Sequence, residues 1–349
     1  MLASYTRPTN TLLARCRRSA TTDSATTDRY DMADYPSDGA TLAAEPSVTE
    51  LSTAEPSAAE TLAAEPLAAT PLADFSAATD REPGAMRPRT VREAVALAVS
   101  RYRPRSDSPD PARDQALVAS VASHSERVAD SLDTVIGAIP KGGTVADIGG
   151  GLTPCCHALS LLGYRTLLID DFGDRGYADA AWILDQKRRD GVEIRSCDVL
   201  SSVPLEESSV DAVITFDCLE HLHHSPKAML RQCVAALKPG GFFFLGVPNC
   251  VNLRKRLTVP FGIGKWSTMA DWWESDVFRG HVREPDVEDL AYIAKSLGLE
   301  NVRIFGRNWL GYESRFGFVR LLTPAGDRIL RLFPSLCANI YVCGTRPAA

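Results

Sequence analysis

The chain lacks long apolar runs, paired-cysteine motifs and an excess of either basic residue type over the acids. The longest uncharged apolar stretch near the middle, Phe242–Val247, is far short of the roughly 20 residues that a bilayer-spanning helix requires. Nine cysteines in 349 residues, none spaced C-x-x-C, exclude a disulfide scaffold and a zinc-ribbon pattern. Their scatter through segments that read as buried favours a reducing, intracellular setting, with the cytoplasm as the expected location. Lysine is scarce, and the 38 basic residues fall short of the 44 acidic ones, for a net charge of −6. Residues 1–85 carry 13 of those acids against 6 arginines, and the rest holds 32 basic and 31 acidic groups. A near-neutral body leaves no electrostatic footprint for nucleic acid.

What is present falls into three parts. Residues 1–86 form a low-complexity tail in which Ala-Glu-Pro recurs at 44–46, 54–56 and 64–66. No stripe there can bury a core, and each proline interrupts a helix, so the tail reads as disordered. Its first 22 residues carry four arginines and no acid, a composition resembling an organellar presequence, which makes an organelle the alternative location. Residues 87–109 are a basic lead-in with the short apolar pattern Val91, Val95, Ala98, Val99. It reads as a solvated helix, or as a contact for an anionic partner or a peripheral membrane surface. The domain itself is read as 110–349, opening on the helix-starting pair Asp110-Pro111.

Within the domain, apolar residues recur at helical spacing from Leu117 to Ile139, read as one helix. Strands are predicted at Thr144–Ile148, Arg165–Ile169, Val192–Cys197, Val210–Phe216, Phe242–Val247, Val302–Phe305 and Ile340–Cys343, most of them separated by helices. Seven strands in this alternation predict an α/β, Rossmann-like, doubly wound sheet with right-handed crossovers. Ligands in such sheets lie beyond the carboxyl ends of the strands. There the first strand ends in Asp147-Ile148-Gly149-Gly150-Gly151, the second in Asp170-Asp171 and the third in Cys197-Asp198-Val199. The glycines let backbone pass close beneath a ligand but match neither the dinucleotide fingerprint nor a phosphate loop. An acid before that loop disfavours a pyrophosphate and favours a cationic ligand. An acid after the second strand can accept both hydroxyl hydrogens of a ribose, and the third can accept from an exocyclic amino group.

These segments, with Phe216-Asp217-Cys218-Leu219-Glu220-His221-Leu222 and Leu237-Lys238-Pro239-Gly240-Gly241, resemble the class I S-adenosylmethionine-dependent methyltransferases from about Asp110 to Pro347. The resemblance implies a seven-stranded sheet with its last strand antiparallel. It implies S-adenosylmethionine as cofactor, its amino-acid end at Asp147 and Gly149–Gly151, its ribose at Asp170 or Asp171, and its adenine beside Asp198 and Val199, with Phe216 nearby. His221, where the family brings acceptor and methyl together, is the expected general base. Glu220-His221-Leu222-His223-His224, with Asp217 and His281, also admits a metal reading; since the Glu-His pair is shared by metal-free relatives, no metal is expected. The long segment 248–285 holds three of the five tryptophans and is expected to act as an acceptor lid. Glu220, Trp266, Trp272, His281 and Arg283 are the expected substrate contacts. The expected acceptor is a small molecule, lipid- or quinone-like or glycan-linked, methylated at oxygen. A methyltransferase of RNA or protein, or a non-catalytic binder of the cofactor, is the alternative.

Overall fold

The computed structural model describes residues 88–104, 108–173, 180–263, 267, 269–275, 277–309 and 317–348. The low-complexity tail, its presequence-like start and Trp266 lie outside the described residues.

The seven predicted strands form one sheet: β1 (Thr144–Ile148), β2 (Arg165–Asp170), β3 (Val192–Ser196), β4 (Val210–Phe216), β5 (Leu237–Pro248), β6 (Glu300–Arg307) and β7 (Asn339–Thr345). Their spatial order is β3-β2-β1-β4-β5-β7-β6. Strands β1 to β5 pair in parallel, whereas β7 runs antiparallel to both β5 and β6. Every residue of β1 is buried, as a central strand covered on both faces requires. The reversal of strand order between β1 and β4, which run parallel, opens the crevice at which the acids and glycines gather.

Helices cover both faces. On one side α6 (Lys227–Ala236) and α9 (Val287–Ser296) bury Met229, Leu230, Cys233, Leu290 and Ala294 against β4, β5 and β7. α9 starts at Asp286, which forms a reciprocal capping box with Asp289. On the other side lie α3 (Ser125–Ala138), α4 (Cys155–Leu161) and α5 (Ala181–Arg189). The single helix expected across 111–139 is two, α2 (Pro111–Ser123) and α3, broken at His124. The His124 ring lies 2.8 Å from the Ser120 carbonyl through Nδ1.

The basic lead-in is not solvated. Thr90 caps α1 (Val91–Ser100), whose Val91, Ala94, Val95 and Ala98 are all buried against α3 and α4. The turn after it is held by a buried network: His157 Nδ1 meets the Tyr102 hydroxyl at 3.0 Å, and Nε2 meets Asp190 Oδ2 at 2.7 Å. Its apolar stripe therefore belongs to the core and is not available to a membrane. Val95→Asp is expected to cost about 3 kcal/mol, the range for an unpaired charge placed in a packed core, read from the urea midpoint.

Pro239-Gly240-Gly241, expected to end the helix before the strand Phe242–Val247, lies inside β5, which already starts at Leu237. Leu237 pairs with Val210 and Phe242 with Ala212, so the three residues sit in an irregularity of the ladder.

Candidate active site

The glycine loop is shaped by the groups beneath it. Gly149 and Gly151 adopt left-handed φ values of 71° and 53°. A side chain at Gly150 would bring its Cβ to 2.2 Å from Asp147 Oδ2, and one at Gly149 to 2.4 Å from Cys218 Sγ. The Gly149 N–H donates to Ile169 O (2.8 Å) and the Gly151 N–H to Asp170 Oδ2 (3.0 Å). From below, the Lys187 ammonium donates to the carbonyls of Gly151 (2.7 Å) and Thr153 (2.8 Å). Lys187 is 0% exposed; sequence reasoning passed over it because a helical lysine is ordinarily solvated.

Asp147 is 1% exposed, and neither carboxylate oxygen has a hydrogen-bond partner among the described residues. Burial raises its pKa to about 7, against the pull of Lys187 and with a further push from Asp170. A buried carboxylate in this state fits a ligand that brings its own donors and positive charge. Beside it, Asp170 is buried, accepting from the Gly151 N–H through one oxygen and from the Phe172 N–H (2.9 Å) through the other. Each oxygen keeps a second lone pair for a hydroxyl. Asp171 turns outward: Oδ1 accepts from the Gly173 N–H (2.9 Å), and Oδ2 pairs with Arg279 at 2.9 Å. Although partial burial pushes the Asp171 pKa up, these two donors bring it below the usual carboxylate value.

The other expected cofactor contacts are placed as follows. Asp198 is exposed and closes its own turn, accepting from the Leu200 N–H (3.0 Å) and the Ser201 hydroxyl (2.6 Å). The Val199 side chain packs into the core. Phe216 meets Phe244 edge-on at 5.0 Å and lines a cleft with Gly149, Pro154, Asp217 and the α2–α3 residues His124, Arg127 and Ser131. Asp217, at a left-handed φ of 51°, forms an ion pair with Arg127, a side chain not singled out from sequence.

On the acceptor side the fold brings together Glu220, His221 and His281. The loop at His281 closes onto the turn Leu219–His221, where Val282 N–H donates to Glu220 O at 2.7 Å. His221 Nδ1 lies 2.8 Å from Arg279 O, which assigns the proton to Nδ1 and leaves the Nε2 lone pair open, 3.9 Å from Glu220 Oε1. The two imidazoles pack edge to face at 4.7 Å. Burial, then the neighbouring His281, lowers the His221 pKa to about 4. Glu220 is 1% exposed with no hydrogen-bond partner for either oxygen among the described residues, and burial raises its pKa well above the usual range. His281 Nδ1 meets Glu284 Oε1 at 2.7 Å, and Glu284 pairs in turn with Lys255. Glu220, His221 and His281 each offer one ligand atom within 4.8 Å of the others. Zinc bonds of about 2.0–2.1 Å put neighbouring ligands roughly 3.3 Å apart, so this set holds a cation only after drawing inward.

The side chains of the other expected substrate contacts stand apart from this cluster, although the Arg283 N–H donates to Glu220 O at 3.3 Å. Arg283 has a side chain 78% exposed and faces Asp289 at 3.3 Å. Trp272, on α8 (Met269–Trp273), is exposed next to Trp273. His223 is bonded to Phe278 O at 2.8 Å. Asn249, after β5, is buried and structural, its amide donating to the carbonyls of Ser335 (2.9 Å) and Cys337 (2.8 Å).

Residues 121–304 match a family profile described as "Methyltransferase domain". A curated relative from Mycolicibacterium smegmatis, named "Probable S-adenosylmethionine-dependent methyltransferase", is 29% identical over 142 residues, 40% of this chain and 48% of its own. The chain thus spans about half the length of the curated relative it matches. Among solved structures, a SAM-dependent methyltransferase from Archaeoglobus fulgidus superposes with a TM-score of 0.43 at 16% identity, covering 63% of this chain and 93% of the other. A SAM-dependent methyltransferase from Thermotoga maritima gives 0.42 at 15% identity, covering 64% and 91%. With its profile match spanning more than half of the sequence, the chain belongs to the methyltransferase-domain family, the class I fold whose cofactor is S-adenosylmethionine.

Proposed function

We propose that this chain transfers the methyl group of S-adenosylmethionine to an oxygen of a small-molecule acceptor, lipid- or quinone-like or glycan-linked. The observation that carries the reading is the Asp147 carboxylate, buried without a hydrogen-bond partner beside a glycine loop that admits no side chain. When bound, the cofactor supplies an electrophilic methyl on a sulfonium. Asp147 and the Gly149–Gly151 backbone hold its amino-acid end, and Asp170 holds the ribose. Asp170 is preferred to Asp171 because it faces the glycine loop while Asp171 is committed to Arg279. Asp198 and Val199 border the adenine through the β3 turn, and Phe216 covers the cleft.

Methyl transfer needs alignment and exclusion of water more than covalent help. His221 Nε2 accepts the hydrogen of the acceptor hydroxyl while Arg279 O fixes the ring through Nδ1. With its pKa near 4 the imidazole is neutral at pH 7 and its lone pair open, although it is a weaker base than a free imidazole. His221→Ala is expected to lower turnover about 100-fold, with the cofactor dissociation constant unchanged within twofold; unaltered turnover removes His221 from the reaction. Glu220 and His281 frame the acceptor at the same spot.

The Asp147 pKa also sets the pH dependence of cofactor binding. Free Asp147 is protonated below pH 7, and an ammonium ligand takes the ionised form, so binding below that pH releases a proton. Affinity is therefore expected to fall about tenfold per pH unit below 7 and to level off above it. Calorimetric titration in buffers of different ionisation heat measures both the slope and the proton. Transfer of radiolabel from S-adenosylmethionine into lipid, small-molecule and RNA extracts tests the acceptor class. Label in RNA alone overturns the small-molecule reading, and no binding heat overturns the cofactor site.

A further inference from the structure

Exposed large apolar side chains are concentrated on two neighbouring segments away from the Glu220–His221 cluster. One is the lid, where Leu257, Phe261, Trp272 and Trp273 are exposed around α7 (Leu253–Thr258), the turn Val259–Phe261 and α8. The other is α10 (Gly317–Leu330), which sequence reasoning did not find. The two meet where Arg256 of α7 reaches Ser335 O at 3.4 Å, in the turn that follows α10.

α10 is oriented opposite to a helix packed on a core. At 3.6 residues per turn, Phe318, Leu321, Leu322 and Ile329 fall in a sector about 100° wide. All four are exposed, Leu321 to 80%. Asp327, on the opposite side, is buried: it accepts from Asn308 Nδ2 at 3.0 Å and pairs with Arg331 at 2.6 Å. Asp327 thus faces the protein while the apolar sector faces out; Arg328 borders that sector, whereas Arg320, exposed, stands about 20° from Asp327 on the far side of the helix. Apolar surface gathered in this way on a water-soluble domain marks a contact face.

Charge identifies the occupant. Among the described residues of 253–275 and 317–333 the exposed charges include Arg254, Arg256, Arg320 and Arg328 against Glu274, and Asp327 is buried. Arginines beside an outward apolar helix, with tryptophans nearby, match an anionic lipid surface: the apolar groups enter the headgroup–acyl boundary and the guanidinium groups reach back to phosphates. A second copy of the same face would oppose arginine to arginine, a costly juxtaposition.

We infer that α10 and the adjoining lid seat this protein on the surface of an anionic phospholipid bilayer. The contact does not depend on which acceptor is methylated. It differs from the one expected of residues 87–109, whose apolar stripe is spent in the core.

Flotation of the full-length protein with phosphatidylglycerol vesicles and with phosphatidylcholine vesicles tests the inference. About tenfold more protein is expected on the anionic vesicles. The double variant Leu321→Glu/Leu322→Glu is expected to lose about tenfold of that binding with its thermal midpoint and cofactor affinity unchanged, since both sites are exposed. Arg254→Glu/Arg328→Glu is expected to abolish the preference between the two vesicles. Three results overturn the inference: no flotation with either vesicle, equal flotation of the wild type with both, or wild-type flotation by Leu321→Glu/Leu322→Glu. A dimer in light scattering that this double variant dissolves, without vesicle binding by the wild type, assigns the face to self-association and also overturns it.

Discussion

Asp147→Asn is expected to weaken S-adenosylmethionine binding about 100-fold while leaving folding stability unchanged or higher. The two effects have one cause. In the free protein this carboxyl is 1% exposed and has no hydrogen-bond partner among the described residues. Its pKa is raised from the unfolded value to about 7. A carboxyl raised in this way contributes most to stability at pH below its unfolded pKa, and that contribution is lost as pH rises through about 7. At pH 8 the folded protein therefore carries an ionised group it would hold more favourably unfolded, and an amide of the same shape removes that cost. On the proposed reading this charge meets the ligand's ammonium, and truncating one partner of a buried charge pair typically costs 2–5 kcal/mol in binding, about 30-fold or more. Calorimetry at pH 8 measures the affinity, and urea unfolding at pH 6 and pH 8 the stability. A variant that binds normally removes Asp147 from the site.

Lys187→Met is expected to have the opposite profile, a loss of about 3 kcal/mol in folding stability with cofactor binding lost as a consequence. Methionine fills a similar volume, so the cost is electrostatic. The carbonyls of Gly151 and Thr153 lose their donor, and Asp147 loses the cation that moderates its raised pKa. Removing one member of a buried polar set costs more than the set itself contributes, because the remaining members stay buried without partners. The urea midpoint reads the loss. Lys187→Arg should not restore it, since a planar guanidinium cannot occupy the position of a point-like ammonium between two carbonyls.

The sheet was legible in the sequence because its central strands are buried on both faces and read as unbroken apolar runs. Thr144–Ile148 and Val210–Phe216 coincide with the observed strands. The strand-end acids could be located from the sequence as carboxylates following such runs, but not their local uses: Asp198 closes its own turn and Asp171 pairs with Arg279. Features that depend on orientation were not legible. The apolar spacing runs through His124 without a gap, so the break between α2 and α3 left no trace. α1 was taken for a solvated segment because six arginines surround its stripe of small residues, two of its four buried positions being alanine. α10 carries a helix-like apolar pattern, but a pattern does not say which way its apolar side points. At the site, choosing between Asp170 and Asp171 required knowing that one turns toward Gly151 and the other toward Arg279. Arg283 and His281 lie two residues apart, yet only the side chain of His281 joins Glu220 and His221, while that of Arg283 faces Asp289; the local turn decides that.

The position of β7 has a consequence for how the chain reaches this state. It inserts between β5 and β6, so of the seven strands the one translated last lies between two made earlier. Until it arrives, β5 presents a row of open backbone donors and acceptors beside Phe242–Val247, the most apolar run of the sheet. Unpaired edges of this kind are prone to pair with other chains. The nascent polypeptide therefore passes through a vulnerable interval that ends only once residues 339–345 have been synthesised and slotted into place. Protection during that interval, by holdase chaperones or by rapid closure, is a requirement imposed by topology and is independent of what the folded chain binds.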